Sequence, residues 1–344
     1  MEIQKNISLA NYSTMGLGGQ ADFLATVTDR NSLVEALDWA EKNDQQVMMI
    51  GKGSNIVWGD QGFKGLIIVN DINRYEIFNE DDENTYVTVG SGENWDKIVE
   101  RTVNAGLSGI EALSLIPGTT GATLVQNVGA YGQEISQTLT VAEVYDKQDK
   151  KFINLNNEDC GFGYRTSRFK TTDKNRFFIT AITLHLRKTH MEPPFYDALK
   201  YYLDANKITD FSPASIRKAV IAIRSSKLPD PAKVKNCGSF FANPVITKDQ
   251  FDQLKNQSPD LKHWLMDDNR VKLSAAWLIE QAGFKDFHDP ETGMATWPNQ
   301  PLVLVNENAK NTADLLKFKA KIENTVFEKF KIRLEQEPEL VIMQ

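Results

Sequence analysis

One glycine-rich segment, residues 116–132, constrains this chain more than any other feature. It reads IPGTTGATLVQNVGAYG and contains four glycines and six hydroxyl or amide side chains within seventeen residues. That density is too high for a single turn, because glycines at this spacing let several backbone N–H groups approach one ligand closely. The segment therefore predicts hydrogen bonds, from backbone and side chains together, to something flat and polar.

A second glycine-rich loop, GKGSN at residues 51–55, follows the apolar stretch 46–50, which predicts a short buried strand. It does not match two familiar phosphate motifs. A P-loop needs a glycine five positions before the Gly-Lys pair, where this chain has Gln46. A Rossmann fingerprint needs a third glycine and an immediate helix, whereas residues 56–60 predict a strand and a turn. By itself, such a loop is more often a turn than a phosphate site.

Two such loops in one half of the chain favour an extended dinucleotide ligand, with one loop on its pyrophosphate and the other along a ring. Glycine N–H groups would supply donors there, together with the side chains of Ser54 and Asn55. Composition alone leaves another interpretation open, in which the two segments are unrelated surface loops.

Hydrophobic periodicity predicts a mixed α+β first half and a more helical second half. The predicted helices cover 31–43, 94–105, 213–226, 248–257, 273–282 and 312–330. The predicted strands cover 46–50, 66–70, 86–90, 141–145, 151–155, 178–186 and 302–306, with a strand-like stretch at 332–343. We expect Asn31 or Ser32 to cap the first helix, and Pro213 to begin another helix after Ser212. Prolines and aromatics over 190–213 predict a domain border.

Length and composition bound the class of protein. At roughly 100–200 residues per domain, 344 residues predict two or three domains. A formal charge of −7 favours small-molecule partners over nucleic acid or anionic lipid. Two cysteines and the lack of a long apolar run predict a cytoplasmic protein with reduced thiols. The four histidines form no metal-ligand pattern with cysteines or carboxylates.

Two further motifs carry candidate chemistry. Arg165 and Arg168 lie among glycines and aromatics in CGFGYRTSR, where a guanidinium can bind a carboxylate or a developing oxyanion. Arginine is more often a surface residue, so the motif is weak by itself. Ser239 stands between a glycine and two phenylalanines in NCGSFFANP. It lacks the nucleophile-elbow pattern, which disfavours nucleophilic hydrolysis and favours a shielded proton donor.

Seven motifs occur in the order and spacing of the UDP-N-acetylenolpyruvoylglucosamine reductase (MurB) family, type I: GKGSNIVW, IPGTTGATLVQNVGAYG, FGYRTS, RSSKLPDP, NCGSFFANP, VKLSAAWLIEQAG and LVLVNENAK. This resemblance implies an α+β protein with a vanillyl-alcohol-oxidase, or PCMH-type, FAD-binding fold of two subdomains and an α/β substrate-binding domain. We expect the FAD-binding subdomains over 1–70 and 71–190 and the substrate-binding domain over 191–310. A C-terminal helix and strand over 311–344 would return to the active site.

The resemblance also implies an activity. Family members are NADPH-dependent flavoenzymes that reduce UDP-N-acetylglucosamine-enolpyruvate to UDP-N-acetylmuramate in peptidoglycan precursor synthesis. For this chain we expect FAD and NADPH as cofactors, no metal, small-molecule substrates rather than nucleic acid or membrane, and a monomer. An FAD-dependent oxidase of the same fold stays open as an alternative, as does a non-enzymatic protein that binds flavin or a nucleotide sugar.

Positions that match the family's motifs are predicted to form its sites. The predicted catalytic residues are Arg165, which stabilises negative charge, Ser239 as proton donor and Glu337 as the C-terminal carboxylate. The predicted cofactor-binding residues are Gly51, Lys52, Gly53, Ser54, Asn55, Ile56, Pro117, Gly118, Thr119, Gly121, Ala122, Gln126, Asn127, Gly129, Ala130, Tyr131 and Gly132. The predicted substrate-binding residues are Tyr164, Tyr196, Lys227, Asn243, Lys272 and Gln300.

Three glutamates, Glu335, Glu337 and Glu339, compete for the role of the C-terminal carboxylate. Strand alternation would place all three on one face, so periodicity does not choose between them. The family pattern, Leu-x-x-Glu followed by Val or Pro, selects Glu337 when counted from Leu334. Pro338 predicts that the strand ends there, which would leave Glu339 in solvent.

Overall fold

The computed structural model describes residues 1–266 and 268–342. Its strands are β1 (Gln4–Ser8), β2 (Gln20–Val27), β3 (Gln46–Ile50), β4 (Ile56–Trp58), β5 (Phe63–Asn70), β6 (Tyr75–Phe78), β7 (Asn84–Gly90), β8 (Gly129–Ala130), β9 (Gln133–Glu134), β10 (Leu139–Asp146), β11 (Lys151–Asn156), β12 (Phe177–Arg187), β13 (Asn236–Ser239), β14 (Val245–Ile246), β15 (His263–Leu265), β16 (Val271–Leu273), β17 (His288–Asp289), β18 (Met294–Trp297), β19 (Gln300–Asn306) and β20 (Glu339–Val341). Its α-helices are α1 (Arg30–Lys42), α2 (Trp95–Asn104), α3 (Ala122–Val125), α4 (Asp197–Ala205), α5 (Pro213–Lys227), α6 (Lys248–Gln257), α7 (Ala275–Gln281) and α8 (Thr312–Phe330). Short 3-10 helices cover Leu9–Tyr12, Glu111–Leu113, Ile135–Gln137 and Glu158–Cys160.

The six predicted helices are confirmed as α1, α2, α5, α6, α7 and α8. They could be predicted because apolar periodicity and the residues that end a helix are local signals in the sequence. Pro213 begins α5 as predicted, and Ser212 accepts a hydrogen bond from the Ser215 N–H (3.4 Å). The cap of α1 is a correction. Asp29 accepts from the Ser32 N–H (2.7 Å), and Ser32 Oγ accepts from the Asp29 N–H (3.1 Å), which closes a capping box one turn earlier than expected.

Two stretches of the second half differ from expectation. Residues 197–205 form α4 inside the segment predicted as a border, because Leu199 and Leu203 are buried there. The strand-like stretch predicted over 332–343 is a strand only in β20, and Met343 lies outside the described residues. Long-range packing decides both, and neither has a strong periodic signal of its own.

The chain forms two compact units, and the first comprises residues 1–7, 21–52 and 64–226. Its sheets have the strand orders β1-β2-β5-β3 and β11-β10-β12-β7-β6, and β3 runs parallel to β5. Helix α1 packs on the first sheet, and α2 packs its Trp95, Ile98, Val99 and Val103 into the buried cluster of the second. Helices α4 and α5 share a smaller cluster with Ala112.

The second unit comprises residues 8–20, 53–63 and 227–344, described up to residue 342 apart from 267. A sheet of order β13-β19-β18-β17 packs against α7 and α8, whose Leu278, Phe318 and Ile322 are fully buried. A smaller sheet has the order β14-β16-β15. Strand β20 pairs in parallel with β4, so Glu339 lies opposite Ile56.

The four segments predicted from the sequence can be compared with these two units. The large sheets lie within 1–70, 71–190 and 191–310, respectively. However, α4 belongs to the first unit, and residues 53–63 belong to the second. The division into segments 1–70, 71–190, 191–310 and 311–344 stays a prediction.

Candidate active site

The two glycine-rich loops touch each other in the first unit, just after β3. A Cβ atom at Gly51 would lie 2.3 Å from Oγ1, 3.2 Å from Cγ2 and 3.3 Å from Cβ of Thr119. Rotating the threonine would only exchange one close atom for another, so the contact itself requires glycine. Within the first unit the start of the short loop is therefore in contact with the long loop, and the interpretation as unrelated surface loops does not fit.

The first part of the long loop is held against the turn between β7 and α2. Three backbone N–H groups donate across this contact: Gly121 to Ser91 (2.9 Å), Thr120 to Glu93 (2.9 Å) and Trp95 to Gly118 (3.2 Å). A Cβ at Gly121 would lie 2.6 Å from the Ser91 Cβ, so glycine is required here too. Residues 118–121 are thus fixed before any ligand binds.

The short loop continues into the second unit from Gly53 onward. Gly53 has a φ of +67°, and a Cβ there would lie 2.0 Å from the Tyr12 carbonyl oxygen. Ile56 begins β4, and its carbonyl accepts a hydrogen bond from Ser13 Oγ (2.7 Å). Lys52 is exposed. The backbone of this loop is held on both sides, and its one charged side chain projects into solvent.

Asn127 ties the second part of the long loop together. Its amide Nδ2 donates to Glu134 Oε2 (2.7 Å) and to the Gly163 carbonyl (3.3 Å), and its Oδ1 accepts from the Ser136 N–H (3.2 Å). The side chain is buried, and both amide ends are engaged within the protein. The side chain of Asn127 therefore shapes the loop that was predicted to bind the cofactor.

Arg165 is fixed directly on the long loop. It has a φ of +54° in a tight turn closed by reciprocal hydrogen bonds between Gly163 and Thr166 (3.1 and 3.2 Å). Its Nη2 donates to the Gly129 carbonyl (3.0 Å). Left-handed backbone is strained for arginine, and such strain is kept where surrounding contacts hold it. The geometry thus holds a guanidinium beside a glycine of the loop.

Arg168, the other arginine of that motif, has a different role. Its Nε donates to Asp173 (2.9 Å), and its Nη1 donates to the Asp159 carbonyl (2.8 Å). These contacts occupy the guanidinium within its own segment, so Arg168 is a structural residue rather than the anion anchor considered from sequence.

Two tyrosines lie near Arg165 in the first unit. The rings of Tyr131 and Tyr196 meet edge to face, with centroids 6.0 Å apart. Burial raises the pKa of Tyr196, and the Asp197 carboxylate raises it further, whereas the positive charge of Arg165 opposes the shift. Burial likewise raises the pKa of Tyr131. Both phenols therefore stay protonated at neutral pH and are available as hydrogen-bond donors.

Ser239 and Glu337 come close together in the second unit through strand contacts. The Glu337 N–H donates to the Phe240 carbonyl (2.9 Å), and the Ala242 N–H donates to the Glu335 carbonyl (2.9 Å), which places 335–337 beside 240–242. Burial raises the pKa of the Cys237 thiol, and the negative charge of Glu337 raises it further. A hydroxyl and a carboxylate thus share one short region.

The three C-terminal glutamates differ in surroundings. Glu335 is exposed, whereas Glu337 and Glu339 are half-buried. The prediction that Glu339 faces solvent is wrong. Pro338 precedes the strand rather than ending it, and the Glu339 N–H donates to the Asn55 carbonyl (3.0 Å) as β20 begins beside β4. Pro338 itself is the residue that cannot donate, so pairing starts one position later.

Comparison with known proteins bears directly on this arrangement. Residues 21–155 match the FAD binding domain, and residues 230–341 match the C-terminal domain of UDP-N-acetylenolpyruvoylglucosamine reductase. The protein of that name from Cupriavidus pinatubonensis is 38% identical over 96% of this chain and 96% of its own length. The one from Flavobacterium johnsoniae is 37% identical over 99% of this chain and 100% of its own length. The one from Alcanivorax borkumensis is 40% identical over 97% of this chain and 94% of its own.

The chain belongs to the UDP-N-acetylenolpyruvoylglucosamine reductase family. The resemblance found in the motifs is thereby confirmed, and the protein is an oxidoreductase with an FAD-binding domain. The crystal structure of the Thermus caldophilus reductase matches with a TM-score of 0.68 and 23% identity, over 99% of this chain and 100% of that one. At that identity the match supports the fold. The predicted fold class, α+β with an FAD-binding fold of the PCMH type, is confirmed.

The donor set of the two glycine-rich loops fits the cofactor that this family binds. Neither loop contains an acidic residue, and together they carry Lys52, Ser54, Asn55, Thr119 and Gln126. A diphosphate is bound by N–H and hydroxyl donors, and a close-packed glycine backbone lets those donors approach it. Among the described residues, no group of three or more histidine, cysteine, aspartate or glutamate side chains could hold a metal ion. Within residues 1–266 and 268–342, no helix is long and apolar enough to cross a membrane.

The predicted substrate residues of this family member occupy different settings. In the first unit, Tyr164 and Tyr196 are exposed by 37% and 40%, enough to reach a ligand. In the second unit, Lys227 is an exposed residue at the end of α5. Asn243 Oδ1 accepts from the Ala275 N–H (3.0 Å), so its carbonyl group supports the start of α7.

The remaining two lie on strands of the second unit. Lys272 Nζ stands 5.5 Å from the Trp264 ring centroid, and the two residues are partners between β15 and β16. Gln300 begins β19 opposite Trp297. Both side chains are thereby placed by cross-strand pairing.

Arg224, which opens the motif RSSKLPDP, contacts Tyr131 of the long loop, although sequence reasoning did not select it. It hydrogen-bonds Tyr131, and its Nε is buried with no hydrogen-bond partner among the described residues. Burial lowers the pKa of this guanidinium. One sequence signal could have found Arg224: it lies beside the apolar stripe of the predicted helix, where a charged side chain requires a partner.

Proposed function

We propose that this protein reduces UDP-N-acetylglucosamine-enolpyruvate to UDP-N-acetylmuramate, with bound FAD and with NADPH as reductant. The relatives that cover nearly all of the chain carry the name of that reductase. The observation that carries the proposal is the Arg165 guanidinium, held 3.0 Å from the Gly129 carbonyl of the glycine-rich loop. A cation fixed on a flavin-binding loop suits a substrate that develops negative charge.

FAD, when bound, supplies the hydride chemistry. The bond to be reduced is an enol ether conjugated to a carboxylate, so hydride addition at the terminal carbon drives negative charge onto that carboxylate. Arg165 stabilises this charge, and because its guanidinium is already oriented, little reorganisation is needed as the charge develops.

Ser239 delivers a proton to the carbon next to the carboxylate. A hydroxyl is a weak acid, but a carbanionic carbon is a strong base, so the transfer is downhill. The Phe240 and Phe241 side chains that follow are fully buried and exclude water from this strand end. Glu337 has one of two roles in this proposal: it holds the protonated enolic oxygen of the intermediate, or it orients Arg165.

The two loops, with Gly51 to Ile56 and Pro117 to Gly132, hold FAD in this proposal. Tyr164, Tyr196, Lys227, Asn243, Lys272 and Gln300 bind the UDP-sugar, and Arg224 joins them as an addition from the structure. Lysine and arginine suit the diphosphate, and tyrosine suits the sugar. The protein acts in the cytoplasm, and it is a monomer. Light scattering of the purified protein would measure its molar mass and so check the monomeric state.

The absorption spectrum and a coupled assay test the function together. The protein should purify yellow and release intact FAD on denaturation. It should consume NADPH steadily only when UDP-N-acetylglucosamine-enolpyruvate is added. Steady oxygen consumption without that substrate would indicate an oxidase, and bound flavin with no NADPH oxidation would indicate a binding protein. A colourless protein that cannot be reconstituted with FAD would overturn the proposal.

A further inference from the structure

Arg217 of α5 makes an ion pair with Asp96, in the first turn of α2. Its Nη1 lies 2.6 Å from Asp96 Oδ1, and its Nη2 lies 3.1 Å from Oδ2. The same Nη1 donates to Ser114 Oγ (2.9 Å). Only 8% of Arg217 is exposed, whereas Asp96 is half-buried, so the bidentate contact is shielded from solvent on the arginine's side.

Asp96 also holds the residue that leads into the glycine-rich loop. Its Oδ1 accepts from the Leu115 N–H (2.6 Å), and Leu115 has a φ of +58°, which is strained for leucine. Three residues further on, residues 118–121 run along 91–95 through the backbone hydrogen bonds described above. The carboxylate of Asp96 therefore lies at the entry to the loop, and Arg217 fixes the carboxylate.

The same helix reaches the other end of the loop. Arg224 hydrogen-bonds Tyr131, and it lies seven residues after Arg217, which places both arginines on one face of α5. Ile216, Val220 and Ile223 bury the neighbouring stripe of the helix. Helix α5 thus holds residues 114–115 through Arg217, directly at Ser114 and by way of Asp96 at Leu115. Through Arg224 it contacts Tyr131.

We propose that Asp96 and Arg217 are positioning residues for FAD: by fixing residues 114–121 they set the affinity of the glycine-rich loop for the cofactor without touching it. This inference rests on the proposed assignment of that loop to FAD. A purely structural role would lower stability alone, whereas a positioning role lowers FAD affinity in protein that is still folded.

The test compares Arg217→Met with Arg176→Met. Arg176 also forms a bidentate pair with an aspartate, Asp146 (3.1 and 2.7 Å), in the same unit, at the end of β10 and away from the loop. In that pair the aspartate is the buried partner. FAD dissociation constants are measured by fluorescence titration of flavin-free protein, well below the unfolding temperature of each variant. We expect roughly 10- to 100-fold weaker FAD binding for Arg217→Met, the range for a lost hydrogen bond to a charged group. Arg176→Met should stay within about twofold of wild type.

Asp96→Asn and the double variant complete a cycle, and Arg217→Lys covers the case in which Arg217→Met does not fold. Asp96→Asn should also weaken FAD binding, and the double variant should lose less than the sum of the two single losses. Arg217→Lys should fall between wild type and Arg217→Met, because an ammonium cannot make the bidentate contact. Unchanged FAD affinity in folded Arg217 variants would overturn the inference, as would an equal loss in Arg176→Met. Failure of the wild type itself to bind FAD would count against the proposed function instead.

Discussion

In the first unit Gly51 and the long loop, both assigned to FAD, pack against each other, whereas in the second unit the segments that carry Ser239 and Glu337 are joined by backbone hydrogen bonds. Gly51 and Gly121 are required because neighbouring atoms leave no room for a Cβ. Ser239 is half-buried. It ends β13, and the next residue, Phe240, accepts the hydrogen bond from Glu337.

This difference changes what a substitution should do. A loop that depends on close backbone packing loses its geometry when a single methyl group is added. A strand contact keeps its geometry when a side chain is replaced, because backbone hydrogen bonds hold it. Variants in the first region should therefore affect cofactor binding, and variants in the second should affect turnover with the cofactor still bound.

The largest effect is expected for Ser239→Ala. Reduction of bound flavin by NADPH should stay near wild type, while its reoxidation by the enolpyruvyl substrate should slow by about 10²–10⁴, the range for a lost general acid. Stopped-flow absorbance follows the two half-reactions separately. If both slow equally, Ser239 is a structural residue and the contrast between the two regions fails.

Glu337→Gln should lower turnover by about 10², the scale for one lost transition-state contact, and should spare FAD binding. Glu335→Gln is the matched control, because Glu335 is two residues away on the same segment and exposed. Steady-state rates at saturating NADPH and substrate provide the measurement. A large loss in Glu335→Gln with little change in Glu337→Gln would move the catalytic carboxylate to the other position.

Gly51→Ala tests the first region. The added Cβ meets Thr119, so FAD affinity should fall about 10- to 100-fold, the equivalent of a typical overpacking cost. Gly51→Ala should cost less affinity in a Thr119→Ala background, where the atoms at 2.3 and 3.2 Å are absent. Thr119→Ala alone is the reference for that background, because Thr119 is itself assigned to FAD, and fluorescence titration of flavin-free protein measures all three variants. An equal loss from Gly51→Ala in the two backgrounds would show that contact between the loops is not the cause.

The smallest effect is expected for alkylation of the native protein at Cys160 in the first unit and Cys237 in the second. Burial raises the pKa of Cys160 to about 11, and burial with the charge of Glu337 raises that of Cys237. A raised pKa leaves the neutral thiol at pH 8, where roughly one Cys160 in a thousand would be thiolate. Native protein should therefore resist iodoacetamide, and unfolded protein should react at both positions. Rapid labelling of native Cys237, followed by mass spectrometry, would mean that β13 opens readily.

Local sequence determined the elements whose signals are local. The helix predicted over 248–257 is α6, and the strand predicted over 46–50 is β3, because an apolar period and a nearby cap or breaker suffice to define them. The two glycine-rich loops were also evident, since glycine density is a property of the sequence itself. The family, and with it the residues predicted for the sites, followed from motifs in a fixed order.

Only the tertiary structure decided how distant segments combine. The contacts of Gly51 with Thr119, of Asp96 with Arg217 and of Phe240 with Glu337 each join residues far apart in the chain, and no local period specifies such partners. The environment of Glu339 was missed for the same reason: whether a strand begins or ends at Pro338 depends on β4, more than 200 residues earlier. Local preference sets which elements can form, but pairing between elements is selected by the packing of the whole unit, where burial and backbone hydrogen bonds are satisfied together.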